Sequence, residues 1–161
     1  MERIRRVAMG SLMLFAGATA GLGAQTEDPI AAYYPFRGCY QLSLDSEPYW
    51  TRGLERRVNL TMVSLERSPH LVVYQLLMRP APGEPASAYE RPHWTLVGNS
   101  SPLVLEWEWP SYVWIRAEFD VSSVENVPDS GLVGILRYAD HTPGTETQPV
   151  GARITPIPCT P

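Results

Sequence analysis

The sequence predicts an all-β fold, an eight-stranded antiparallel up-and-down barrel, with a β-sandwich as the alternative. Short apolar or alternating segments, each bounded by turn-forming residues, follow one another along most of the chain. The chain has 16 prolines and no long segment of helical periodicity, which favours strands joined by turns. Its two cysteines stand at the start of the first predicted strand and at the end of the last, where closure of a barrel would make them neighbours.

The N-terminal segment has the pattern of a secretory signal peptide. Arginines among the first six residues precede an apolar stretch from residue 7 to about residue 22, and small residues lead to a cleavage point after Ala24. A membrane anchor is the alternative, but glycines interrupt the stretch, which is short for a spanning helix. We expect residues 1–24 to be removed, the protein to be periplasmic or extracellular, and the mature chain to make no stable membrane insertion.

The rest of the chain is predicted to be a leader segment over residues 25–37, expected to be loose, and one barrel domain over residues 38–161. The prolines of residues 79–92 exclude a strand or helix interior there. Pro156 and Pro158 limit the pairing of the last strand, which should end at an edge or rim. In chain order the predicted strands are 38–44, 57–65, 70–78, 93–98, 102–109, 112–121, 131–139 and 150–159.

The fifth and sixth predicted strands can be paired residue by residue. If Trp109 faces Val113, every second residue before Trp109 is apolar and faces an apolar residue after Val113, and Glu106 falls opposite Arg116. A slip by one residue would turn the apolar set outward and lose the charge pair. We therefore predict an antiparallel hairpin with one buried face and one face in water.

Cys39 allows three interpretations: a lipidated residue, a free thiol, or one half of a disulfide. Arg37 occupies a position where a lipidation motif has a small residue, and a polar and aromatic segment separates Cys39 from the apolar stretch. An even number of cysteines in an exported protein favours a disulfide. Because the first and last strands of a closed, even-stranded barrel pair antiparallel, we predict a bridge between Cys39 and Cys159.

The ends of the predicted barrel resemble those of the lipocalins. Gly38-Cys39-Tyr40 is similar to the Gly-x-Trp that opens the first lipocalin strand, with tyrosine in place of tryptophan. Arg153 is similar to the arginine that lipocalins place on their last strand against that aromatic residue. The resemblance implies that Tyr40 and Arg153 close one end of the barrel and that the interior binds a small apolar ligand.

Several aromatic side chains are candidates for a ligand-binding wall inside the barrel. Ordinary core packing is the alternative, and it is favoured because large aromatic residues dominate protein cores. Trp114 is predicted to project with Arg116 from the face in water, as a candidate contact patch. The candidate ligand-binding residues are Tyr74, Trp94, Trp107 and Trp109.

The remaining patterns restrict the function classes. The formal net charge is −4 and no basic cluster is present, so we expect no nucleic-acid partner. His70, His93 and His141 share no ligand spacing, so we expect no metal site and no other cofactor. No catalytic motif appears, so we expect no enzyme. The hypotheses left are an exported module that binds a small apolar ligand and, alternatively, a structural or protein-interaction module of the cell envelope without a ligand cavity.

Overall fold

The computed structural model describes residues 30–67, 74–85, 88–90, 92–97, 101–109, 113–139 and 147–160. Within them each strand pairs antiparallel with the next, and the last pairs with the first, so the sheet closes into a barrel. The predicted fold class is confirmed. In chain order the elements are the 3-10 helix η1 (Ala31–Phe36), β1 (Gly38–Leu44), the 3-10 helix η2 (Tyr49–Thr51), β2 (Arg57–Arg67), β3 (Tyr74–Pro80), β4 (His93–Leu96), β5 (Leu103–Trp109), β6 (Val113–Phe119), β7 (Leu132–Ala139) and β8 (Val150–Ile157).

The strands begin and end close to their predicted bounds, with differences at prolines. β3 continues to Pro80, inside the segment predicted as a loop, and Pro80 pairs with Val58 at the start of the β2–β3 ladder. β8 ends at Ile157, between the two prolines expected to limit it. Residues 70–73, predicted to begin the third strand, lie outside the described residues.

The predicted register of the β5–β6 hairpin is confirmed along its whole length. Trp109 is paired with Val113, and Glu106 with Arg116. Glu106 and Arg116 project from the outer face of this hairpin. The buried apolar residues of its inner face are Leu103, Leu105, Trp107, Ile115, Ala117 and Phe119. This register is the one that buries a complete apolar face, and a shift by one residue would expose it.

Apolar side chains from all eight strands fill the barrel interior. They belong to one contiguous hydrophobic cluster. Gly134 of β7 faces Phe119 of β6, and the absence of a side chain at Gly134 leaves the space that the phenylalanine ring occupies. One almost fully buried member from each strand, in chain order, is Leu42, Leu60, Leu76, Trp94, Leu105, Ile115, Leu136 and Ile154.

Residues 31–36 close one end of the barrel and are not a loose leader. Tyr33 of η1 has no exposed surface. Its hydroxyl donates to the Leu96 carbonyl oxygen at 3.3 Å and accepts from the Tyr74 backbone N–H at 3.3 Å. Its ring meets Trp94 edge-on, with ring centroids 5.5 Å apart. The prediction of a loose leader is therefore wrong for these six residues, which form a short helix whose Tyr33 and Phe36 side chains belong to the barrel core.

Different segments cover the two ends of the barrel. η1 covers the first end, where β1 begins and β8 ends. The connection between β1 and β2 covers the second end, where Trp50 of η2 packs on Tyr138 with ring centroids 5.6 Å apart and Leu54 is buried. Both helices are short, and no helix within the described ranges has the length and hydrophobicity needed to cross a membrane.

The predicted disulfide between Cys39 and Cys159 is present at the first end, with the two Cα atoms 5.2 Å apart. Cys39 faces Ile157, the last residue of β8, so the bridge lies where the first and last strands meet. Sequence separation between the two cysteines is 120 residues. The bridge therefore fastens the seam that closes the barrel.

Candidate functional site

Of the aromatic residues predicted to line a ligand cavity, Trp94 and Trp107 are core residues, and Tyr74 is partly buried against the core. Trp94 and Trp107 have no exposed surface, so neither borders a space into which a water molecule would fit. The indole N–H of Trp94 donates to a backbone carbonyl oxygen of β2 at 2.9 Å. Tyr74 is half-buried and meets Tyr33 edge-on, with ring centroids 6.3 Å apart. The side chain of Trp109 lies outside the described part of the structure.

The structure does not bring Tyr40 and Arg153 together, which corrects the closure that the lipocalin resemblance implied. Tyr40 points into the barrel and faces Pro156, and its hydroxyl donates to the Phe36 carbonyl oxygen at 2.8 Å. Burial raises the pKa of Tyr40 to about 12. Arg153 is three residues from Pro156 along β8, an odd number, so it projects from the opposite face. It is exposed there and donates to the Ser130 carbonyl oxygen at 2.9 Å.

The second end of the barrel buries polar groups that have no partner among the described residues. Glu55 is 7% exposed, and neither of its buried carboxylate oxygens accepts a hydrogen bond there. The indole N–H of Trp107 likewise has no acceptor within the described chain. Such groups are rare in native proteins, because a buried polar atom without a hydrogen bond raises the free energy of the folded state. Burial, and then the negative charge of Glu55, raise the pKa of the nearby Tyr89 hydroxyl, while Arg56 lowers it.

On the outer face of β4 and β5, a histidine meets two carboxylates, contrary to the expectation from the sequence. Strand pairing sets His93 opposite Glu106, and Glu108 lies two residues further along β5 on the same face. One nitrogen or oxygen atom of each residue lies within 4.8 Å of the others. We call these three residues the His93 cluster. His93 is 3% exposed, whereas both glutamates are partly exposed, and His70 and His141 lie outside the described residues.

Arg116 of β6 lies beside the His93 cluster but pairs more closely with another carboxylate. Its Nε atom is 2.8 Å from Glu118, whereas its Nη1 atom is 4.0 Å from Glu106. Across β6 and β7, Arg116 faces Arg137, which is exposed and has no carboxylate within 4.0 Å among the described residues. Like charges directly opposite repel. The acidic neighbours offset the charge of Arg116 and leave that of Arg137 unbalanced.

A cleft of about 70 Å³ adjoins Arg137 on the same side of the barrel. Trp114 and Ala139 face each other there across β6 and β7, as the prediction of an outward-facing Trp114 requires. The backbone N–H of Thr147 donates to the Tyr138 carbonyl oxygen at 3.3 Å, so the chain that returns after β7 forms a further wall. Small-molecule sites typically measure roughly 300–1,000 Å³, so this cleft suits a single side chain. Its lining residues are Trp114, Arg137, Tyr138, Ala139 and Thr147.

Sequence reasoning missed the His93 cluster for an identifiable reason. It treated the histidines by their spacing along the chain, whereas the cluster depends on the pairing of two strands. The alternation of Glu106 and Glu108 placed both carboxylates on the outer face, and His93 opens the preceding strand. Extending the hairpin register by one strand would have brought the three side chains together.

Comparison of the chain with protein-family models, with curated proteins and with solved structures found no match. What stands of the lipocalin resemblance is the closed eight-stranded antiparallel barrel.

Proposed function

We propose that this protein is an exported binding module that docks an acidic segment of a partner protein on the outer face of β6 and β7. The observation that carries the proposal is the exposed Arg137 beside the Trp114 cleft, a positive charge with no carboxylate within 4.0 Å among the described residues. The barrel interior supports the same choice, because Trp94 and Trp107 border no open space. The proposed binding surface is therefore on the outer face of the barrel and not in its interior.

Four further observations support the proposal, two for export and two for a binding role. Residues 1–24 have the pattern of a signal peptide. Disulfides such as Cys39–Cys159 persist in oxidising compartments, which include the periplasm and the extracellular space. The sequence has no catalytic motif, and a cleft of about 70 Å³ suits an anchoring side chain better than a substrate.

The cleft combines two groups that recognise a side chain ending in a carboxylate. The planar guanidinium of Arg137 can bind a carboxylate through two parallel hydrogen bonds. The indole of Trp114 supplies an apolar wall for the methylene groups of the same side chain. Tryptophan and arginine are also enriched among the residues that dominate binding energy at interfaces. A bound carboxylate would further offset the repulsion between Arg116 and Arg137.

The test is a titration of the isotope-labelled protein with two blocked peptides of equal length, one rich in glutamate and the other with glutamine in its place. We expect the acidic peptide to shift the NMR signals of the Trp114 indole N–H and the Arg137 side chain saturably. The glutamine peptide should leave both signals in place. Arg137→Gln should weaken binding of the acidic peptide by about tenfold or more, the loss typical of a hot-spot arginine.

Arg79→Gln is the matched control, because Arg79 is also exposed on a strand and has no carboxylate within 4.0 Å among the described residues. This variant should bind like the unmodified protein. Equal weakening by both arginine variants would mean that peptide binding depends on the net charge of the protein and not on the position of Arg137. That result, or the absence of any shift at millimolar peptide, would overturn the proposal.

The second candidate function is the binding of a small apolar ligand inside the barrel. It is favoured by one observation, the buried indole N–H of Trp107, which has no acceptor among the described residues. Because Trp107 borders no open space, a ligand would have to move the neighbouring side chains apart before one of its polar atoms could accept from this N–H. Saturable binding of an apolar fluorescent probe, one molecule per chain, with weaker binding by Trp107→Phe, would support it. An unmodified protein that binds no such probe while it is folded would eliminate this candidate.

A further inference from the structure

The His93 cluster is held together by strand pairing and not by a loop. His93 and Glu106 are direct partners in the β4–β5 ladder, and Glu108 follows on the same face. Their backbone positions are therefore set by the closed sheet itself. Burial of His93 at 3% exposure further restricts its side chain, while the partly exposed glutamates leave a path for an ion from solvent.

The donor set identifies the class of ion. An imidazole nitrogen suits zinc and other first-row transition ions, whereas magnesium and calcium prefer oxygen ligands alone. In a tetrahedral zinc site, with bonds of about 2.0–2.2 Å, neighbouring ligand atoms lie about 3.3 Å apart. The atoms of the His93 cluster lie within 4.8 Å of one another. Binding of an ion would therefore require the two glutamate side chains, which are partly exposed, to rotate inward.

The local charges also favour a cation. Glu106 and Glu108 contribute two negative charges, and Arg116 pairs most closely with Glu118, at 2.8 Å. At 4.0 Å from Glu106, Arg116 still competes with an ion for that carboxylate. The site therefore has a net negative charge that one arginine partly offsets.

We propose that the His93 cluster binds a divalent transition-metal ion of the zinc type, with three protein ligands and the remaining position open to solvent. This inference does not rest on the proposed docking function, since it concerns a different set of side chains. Three protein ligands and an open position are the arrangement that lets an ion also accept a water molecule or a ligand from outside.

The experiment is calorimetric titration of zinc chloride into the exported protein, purified without a polyhistidine tag. We expect one zinc ion to bind per chain. Glu108→Gln removes one ligand with little change in shape and should weaken binding by at least about tenfold, as loss of a ligand exceeds the effect of losing a supporting residue. Arg116→Gln should strengthen binding, because it removes the competing positive charge.

Glu84→Gln is the matched control. Glu84 is partly exposed, as Glu108 is, but it does not belong to the His93 cluster. This variant should bind zinc like the unmodified protein. His93→Gln should weaken zinc binding at least as much as Glu108→Gln does, and if His93→Gln fails to fold, Glu108→Gln decides alone. The inference is overturned by absence of zinc binding at millimolar concentration, by unchanged affinity of Glu108→Gln, or by an equal loss in Glu84→Gln.

Discussion

The two ends of the barrel differ in whether the polar groups buried there are hydrogen-bonded. At the first end the hydroxyls of Tyr33 and Tyr40 are both buried and hydrogen-bonded to backbone atoms, and a disulfide fastens the strands beneath them. At the second end Trp50 and its neighbours cover the core, but Glu55 is buried with no hydrogen-bond partner among the described residues. The first end therefore contributes stability to the fold, whereas the second end contains groups that reduce it.

Removal of the disulfide should have the largest effect. In the chain-entropy model a closed loop of this length, with the cysteines separated by 120 positions in sequence, contributes about 4–5 kcal/mol. The double variant Cys39→Ala, Cys159→Ala should lose that much free energy of unfolding in urea denaturation. The reduced wild-type protein should denature like the double variant. A loss below about 1 kcal/mol would show that the first end does not depend on its bridge.

Tyr33→Ala should come next. It deletes a fully buried aromatic ring and the hydrogen bonds of its hydroxyl, and truncation of buried aromatic residues costs about 3–5 kcal/mol. Tyr34→Ala is the control within the same helix, because Tyr34 is 43% exposed, and it should change the free energy of unfolding by less than about 1 kcal/mol. Similar losses for the two variants would mean that η1 does not plug the barrel.

Ionisation of the Tyr40 hydroxyl should lower the free energy of unfolding at alkaline pH. Burial raises its pKa from 10.0 to about 12, so the unfolded chain loses this proton first as the pH rises. The stabilisation is complete below pH 10 and is lost as the pH approaches 12, by about 2–3 kcal/mol in total. Tyr40→Phe should lack this loss, and the difference between the two urea-denaturation profiles against pH isolates Tyr40. Parallel profiles would contradict the prediction.

The smallest expected effect has the opposite sign and concerns the second end. Glu55→Gln replaces a buried carboxylate by a neutral amide, which costs less to bury, so the free energy of unfolding should rise by about 1 kcal/mol. Glu84→Gln, at a partly exposed position paired with Arg57, should change it by less than about 0.5 kcal/mol. A clear loss in Glu55→Gln would show that its carboxylate has a favourable partner.

The strands and their closure could be predicted because local patterns determine them. Alternation of apolar and charged residues sets the β5–β6 register, in which Glu106 meets Arg116. The position of Cys39 and Cys159 at the two chain ends of the sheet indicated the seam. Each of these inferences needs only the residues of one strand pair.

The closure of the ends could not be predicted in this way. Tyr33 has no periodic pattern around it, and its role depends on its contacts with Trp94 and Tyr74 across the barrel mouth. Arg153 was assigned to the closure of one barrel end by resemblance. The register of β8 instead places its side chain on the outer face. The His93 cluster likewise depends on the pairing of β4 with β5 across a connection that the sequence pattern leaves open. In all three cases the position of the side chain is fixed by contacts between different secondary-structure elements.

The disulfide also determines how the molecule responds to a pull on its two chain ends. Because Cys39 and Cys159 are covalently joined, tension applied before Cys39 and after Cys159 passes through the bridge and leaves the sheet between the two cysteines unloaded. η1 lies on the N-terminal side of the bridge and bears the load first. A tether on the N-terminal segment would therefore draw Tyr33 out of the first end while the barrel itself stays closed.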